Sequence, residues 1–123
     1  MASILIVDDY PASRYALGRM LRRAGHQTRE VDSAREMLQA LEDHAFELVV
    51  LDIHLPDADG LDLCRRLKSD PRHAHLAVVI VTASYASSDA RQRVEASGAD
   101  AYLEQPVLED QLDALVSRLL GRG

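Results

Sequence analysis

A short apolar run followed by a segment of helical periodicity recurs about five times along these 123 residues, and few folds accommodate that alternation. The runs are residues 4–7, 28–31, 48–51, 78–81 and 101–103. Several are apolar at consecutive positions, the pattern of strands covered on both faces of a parallel sheet. Between them, Leu17, Met20, Leu21 and Ala24 recur at i, i+3, i+4 and i+7, which places one apolar stripe on a helix. Ala34, Met37, Leu38 and Leu41 repeat the spacing behind a capping box of Ser33 and Glu36. Gly60, Leu63, Cys64 and Leu67 predict a third helix, and a weaker fourth over roughly 87–97 is anchored by Ala90 and Val94. Leu108, Leu112, Leu115, Val116 and Leu119 predict a strong fifth. Gly25 and Gly98 stand where helix C-termini should stop. The alternation predicts an α/β fold: a parallel sheet with helices on both faces and right-handed crossovers.

Open sheets of this kind bind ligands beyond the carboxyl ends of their strands. Asp8 and Asp9 follow the first run, Asp52 the third, Thr82, Ala83 and Ser84 the fourth, and Glu104 and Gln105 the fifth. Asp after a strand is often only a helix N-cap, but all of these residues fall at one sheet edge. Carboxylates brought together raise one another's pKa unless a cation offsets them. A hard dication such as Mg²⁺, which takes one or two carboxylates, waters and a phosphate, suits such a set.

Composition narrows the setting. A chain of this length fits one domain, 1–123, with a core large enough to need no metal or disulfide staple. The single Cys64 excludes an internal disulfide and suits a reducing, cytoplasmic compartment. No apolar run approaches the roughly 18 residues that span a bilayer, and the start Met1-Ala2-Ser3 lacks the charged and apolar regions of a signal peptide. A net charge of −6 argues against direct nucleic-acid binding. No membrane association is expected.

The strand-end motifs carry a family resemblance. Ile4-Leu5-Ile6-Val7-Asp8-Asp9, Leu48-Val49-Val50-Leu51-Asp52-Ile53-His54-Leu55-Pro56-Asp57-Ala58-Asp59-Gly60, Val79-Ile80-Val81-Thr82-Ala83 and Gly98-Ala99-Asp100-Ala101-Tyr102-Leu103 resemble the ordered blocks of response-regulator receiver domains of two-component phosphorelays. The resemblance implies a (βα)5 flavodoxin-like, doubly wound sheet of strand order 2-1-3-4-5, with helices one and five on one face and two to four on the other. It implies that Asp52 is a phosphoacceptor, attacking a phosphohistidine on a sensor histidine kinase or phosphotransfer domain. Asp9 would then ligate Mg²⁺ directly, Asp8 directly or through water, and the backbone carbonyl of His54 would be a further ligand beside Asp52. Thr82 would donate its hydroxyl, and Ala83 its backbone N–H, to phosphoryl oxygens. Tyr102 would be the switch aromatic whose rotamer follows Thr82, with plain strand packing as the alternative. The signal would be read through helix four, strand five and helix five by a downstream protein or in a homodimer. Such a domain is not an enzyme beyond its own phosphorylation and dephosphorylation.

At Gln105 the chain departs from the family, which has lysine there. The only lysine is Lys68, on a different segment. A charge-assisted hydrogen bond contributes about 1.5–3 kcal/mol against about 0.5–1.5 for a neutral one. A phosphorylated state should therefore be less stabilised by something on the order of 1–2 kcal/mol, and dependence on Mg²⁺ should be unusually strong. Arg14 and Arg91 are candidate substitutes for the missing charge. The Gln105-Pro106 bond is open to either isomer, cis as the lysine-proline bond is in relatives or trans at the start of the last helix. The lysine loss and the Gln105-Pro106-Val107 ending resemble receivers of hybrid sensor kinases. With no output domain expected after Leu120, the domain is read as either stand-alone or excised from a larger protein.

Other features read as structure. The His73/His75 pair and the scattered His26, His44 and His54 lack the further ligands a zinc site needs. Cys64 on an apolar stripe is a small buried hydrophobe, and Tyr10 and Tyr15 are rim or packing residues. Asp57, Asp59 and Asp62 are expected in the loop and first turn of helix three, favoured by its dipole. Two rival functions remain: a phosphorylation-independent interaction module (a pseudo-receiver) in which Gln105 marks a decoupled switch, and a small phosphatase using Asp52. The second lacks the cap or insertion that selects a substrate.

Overall fold

The computed structural model describes residues 2–83 and 88–121. Ser84 and Ser87 lie outside the described residues. The elements alternate strictly: β1 Ser3–Val7, α1 Pro11–Arg23, β2 Gln27–Val31, α2 Ala34–Asp43, β3 Leu48–Asp52, α3 Gly60–Ser69, β4 Ala77–Thr82, α4 Ser88–Ala96, β5 Ala101–Glu104 and α5 Glu109–Leu119. The strands form one parallel sheet in the order β2-β1-β3-β4-β5.

The continuous apolar runs are explained by how that sheet divides them. Successive strand residues face opposite sides, so each run feeds two cores at once. Leu5 and Val7, Val49 and Leu51, Val78 and Ile80 pack with Met37, Leu41, Leu63, Leu67 and Val94 under α2, α3 and α4. Ile4 and Ile6, Leu48 and Val50, Val79 and Val81 pack with Leu17, Leu21, Leu112 and Val116 under α1 and α5. Helices one and five therefore share one face, and two to four the other. The second run differs because β2 is an edge: Val31 is buried, while Gln27 and Arg29 are exposed.

Punctuation matches the sequence in most places. Gly25 and Gly98 take φ of 95° and 79° just past α1 and α4, the left-handed stop that a Cβ would strain. Ser33 accepts from the Glu36 amide while Glu36 accepts from the Asp32 amide, closing the box at α2. Two expectations need correcting. Leu108 is not part of the buried stripe of α5; it is the N-cap residue and is 56% exposed. Asp57 does not serve α3, since its two carboxylate oxygens accept from the Ala34 and Arg35 amides at 2.8 and 3.0 Å. It sits in the loop before α3, but the helix N-terminus it meets is that of α2. Asp59 is the cap of α3, accepting from the Leu61 amide at 2.8 Å.

The lone lysine joins three elements at the opposite end of the sheet from the acidic residues. Lys68 Nζ reaches Asp100 Oδ2 at 2.6 Å and donates to the Leu76 carbonyl at 2.8 Å. The same Asp100 oxygen accepts from the Val78 amide. The lysine and aspartate side chains are 20% and 34% exposed, so removing one partner leaves groups that water satisfies only in part. Lys68→Met is expected to destabilise the fold by about 1–3 kcal/mol in urea unfolding, without altering the distant acidic site. An unchanged unfolding midpoint would show the bridge to be idle.

Candidate functional site

Register builds the site. Val7 pairs with Leu51 across β1 and β3, so Asp8, one residue past Val7, comes level with Asp52. Oxygens of Asp8, Asp9 and Asp52 lie within 4.8 Å of one another, the one such cluster of potential metal ligands among the described residues. None of the five histidines is a member of that cluster. The three carboxylates differ in environment: Asp8 is buried, Asp9 exposed and Asp52 half-buried.

Asp8 is held from several directions. Its amide donates to the Val31 carbonyl, and its Oδ1 accepts from the Tyr10 amide at 2.9 Å. Its carbonyl accepts from Arg14 Nη1 at 2.9 Å. Its Oδ2 is buried with no hydrogen-bond partner. A buried carboxylate oxygen left without a donor is costly unless something else satisfies it. Burial, and then the charges of Asp8 and Asp9, push the Asp52 carboxyl up to about 6, against the pull of the His54 and Ile53 amides. The orphaned oxygen, the raised carboxyl and the all-oxygen donor set fit a hard divalent cation.

The loop after β3 closes tightly on Asp52. His54 pairs with Asp59 in an isolated antiparallel bridge. The Gly60 amide donates to the Ile53 carbonyl at 2.6 Å. A Cβ on Gly60 would stand 2.1 Å from the Asp52 carbonyl oxygen, so glycine is required there by contact with backbone. Arg93 of α4 reaches over this loop to Asp59, Nη2 to Oδ2 at 2.8 Å. Partial burial pushes the Asp59 carboxyl up, but Arg93 and the Leu61 and Asp62 amides together hold it below the usual carboxylate range.

On the other side of the site, Thr82 ends β4 and is buried, with Ala83 exposed beside it. The Gln105 amide donates to the Thr82 carbonyl at 2.9 Å, joining the β5 end to the β4 end. The Gln105 side chain donates instead across to α1, Nε2 to Ser13 Oγ at 3.4 Å. The Gln105-Pro106 bond is cis. Tyr102, on β5 opposite Ile80, is 46% exposed, and Tyr10 and Tyr15 are exposed rim residues at 65% and 60%. Of the arginines considered as substitutes, Arg14 spends its guanidinium on the Asp8 carbonyl and on Glu30 at 3.7 Å.

The sequence matches the family described as response regulator receiver domain over residues 4–117, and the chain belongs to that family. Such domains are signalling modules and not enzymes in the ordinary sense. The transcriptional regulatory protein GltR of Pseudomonas aeruginosa is 40% identical over 98% of this chain and 49% of its own length. The chain spans about half or less of the curated relatives it matches. A response regulator structure from Chloroflexus aurantiacus is 30% identical with a TM-score of 0.92, covering 98% of each chain. The receiver domain of a signal transduction histidine kinase from Syntrophus aciditrophicus is 31% identical with a TM-score of 0.91, over 98% of this chain and 91% of that one. No helix among the described residues is long and apolar enough to cross a membrane.

Because the folded Asp52 carboxyl titrates near 6 and an unfolded one near 3.8, its contribution to stability is full below the unfolded value and is lost as pH rises through about 6. In metal-free protein, Asp52→Asn should therefore be more stable than the parent at pH 7.5, on the order of 1–2 kcal/mol after allowing for solvent screening. The difference should vanish below about pH 4. Thermal unfolding in chelator at both pH values checks this; a gap independent of pH would exclude charge repulsion as its cause.

Proposed function

We propose that this domain accepts a phosphoryl group on Asp52 from a sensor histidine kinase or phosphotransfer domain, in a Mg²⁺-dependent reaction. The observation that carries this reading is the convergence of Asp8, Asp9 and Asp52, with the Asp8 Oδ2 buried and unpartnered. Asp8, Asp9, Asp52 and the His54 carbonyl would hold the ion. When bound, it supplies positive charge against the carboxylates and the transferring phosphoryl oxygens. Above pH 6 the Asp52 carboxylate is available as a nucleophile. One of its oxygens attacks phosphorus, the bond from phosphorus to the imidazole nitrogen breaks, and the electron pair leaves with the histidine. The Thr82 hydroxyl and the Ala83 amide are the donors to the phosphoryl oxygens.

Readout would run through α4, β5 and α5, with Tyr102 following Thr82. A groove between these elements is lined by Val94, Tyr102, Leu103, Leu108, Leu115 and Arg118, which suits a downstream protein or a second copy of the chain. The net charge of −6 disfavours direct nucleic-acid contact, and a cytoplasmic setting fits the single cysteine. One observation favours the pseudo-receiver reading. Gln105 has no charge, and its side chain is bonded to Ser13 at the rim.

Intact-mass analysis after incubation with acetyl phosphate and Mg²⁺ decides between them. The proposed function expects one phosphoryl adduct on the parent, none on Asp52→Ala and none in chelator. No adduct on folded protein, with acetyl phosphate or with a panel of phosphorylated donor domains, would favour the pseudo-receiver. Gln105→Lys tests the cost of the missing charge. Restoring it should stabilise the phosphorylated state by about 1–2 kcal/mol, read as a roughly five- to thirtyfold gain in affinity for beryllofluoride in Mg²⁺. An affinity unchanged by the lysine would mean that the chain compensates elsewhere.

A further inference from the structure

We infer that Arg93 is a positioning residue for the acidic site, acting from α4 through Asp59 and Gly60 on the backbone that carries Asp52 and His54. The geometry is a continuous series of contacts. Gly60 lies against the Asp52 carbonyl so closely that no Cβ fits, and its amide is bonded to the Ile53 carbonyl. Asp59, one residue earlier, pairs with His54 across the turn. Its carboxylate divides its two oxygens between two helices: Oδ1 caps α3 at the Leu61 amide, and Oδ2 holds Arg93. The cap fixes the carboxylate, so Arg93 meets a partner already oriented by α3.

The second half of the argument is where Arg93 sits on α4. Its neighbours Val94 and Glu95 line the groove against β5 and α5. One turn of α4 thus touches the loop carrying the proposed metal-ligand carbonyl and also forms a wall of the groove. Any shift of that loop on cation binding alters the Asp59–Arg93 geometry, and by linkage any partner that moves α4 alters the cation affinity. This route is separate from Thr82 and Tyr102, and it needs no charge at Gln105. It is also specific in kind: the pair is 56% and 34% exposed, so it contributes little to global stability while still setting the position of a loop.

The test compares Arg93→Gln, Arg93→Lys and Asp59→Asn, the last keeping an N-cap but losing the charge. Amide exchange of the ligand-free proteins is read at residues 53–60. Arg93→Gln and Asp59→Asn should both raise exchange there with unfolding midpoints close to the parent, and Arg93→Lys should restore most of the protection. Mg²⁺ titration by calorimetry should then show about three- to tenfold weaker binding in the first two, at or under the low end for outer-sphere partners of metal ligands. Unchanged exchange at 53–60 in Arg93→Gln overturns the inference whether or not Mg²⁺ binds. The Mg²⁺ readout rests on the function proposed above. If the parent binds no Mg²⁺ but the loop responds, that function fails and the coupling stands.

Discussion

The repulsion among three carboxylates governs this structure, and the parallel ladder is what makes it unavoidable. Two unit charges 4 Å apart repel by about 4 kcal/mol at an effective dielectric of 20. Side chains free to separate would do so. Here β1 and β3 are locked in register and buried on both faces, so the backbones of Asp8 and Asp52 cannot be drawn apart without breaking the core. Burial of Asp52, and then that repulsion, are expressed in protonation instead, in a carboxyl that holds its proton to about pH 6. The core and the site are therefore one problem: the residues that make the sheet rigid keep the site electrostatically unsatisfied and receptive to a cation.

Much of this was legible in the sequence because it depends on period and order. Continuous apolar runs imply two-sided strands, and residues just past such strands imply a shared edge. Asp8, Asp9 and Asp52 could be grouped without knowing a distance. What stayed hidden depends on loop geometry. Asp57 and Asp59 are two residues apart and look equivalent, yet one accepts from the first amides of α2 and the other caps α3 and holds α4. No periodicity reports which helix end a loop carboxylate will meet. Leu108 misleads for a related reason, since its spacing matches the α5 stripe while the turn after Pro106 leaves it outside the helix. Arg93 gave no signal at all; an arginine on an exposed face is ordinary.

Arg14 and Arg93 are engaged at the rim of the acidic cluster. Arg14 is bonded to the Asp8 backbone and faces Glu30, which Arg22 also holds. Glu30 lies so near α1 that a Cβ on Gly18 would stand 2.6 Å from its carboxylate oxygen. Arg93 is committed to Asp59, and Gln105 offers an amide to Ser13. These groups fix positions at the rim of the acidic cluster.

The lysine bridge has a consequence of another kind. The chain's single side-chain amine is held by Asp100 and by the Leu76 carbonyl at the foot of the sheet. Acylating enzymes, ubiquitin ligases and amine-directed cross-linkers all require a free, deprotonated amine that can be approached. To such chemistry this domain presents a surface rich in guanidinium and almost bare of targets. Its charge pattern is thus set by sequence and by what binds at the acidic edge, with little scope for editing one lysine at a time.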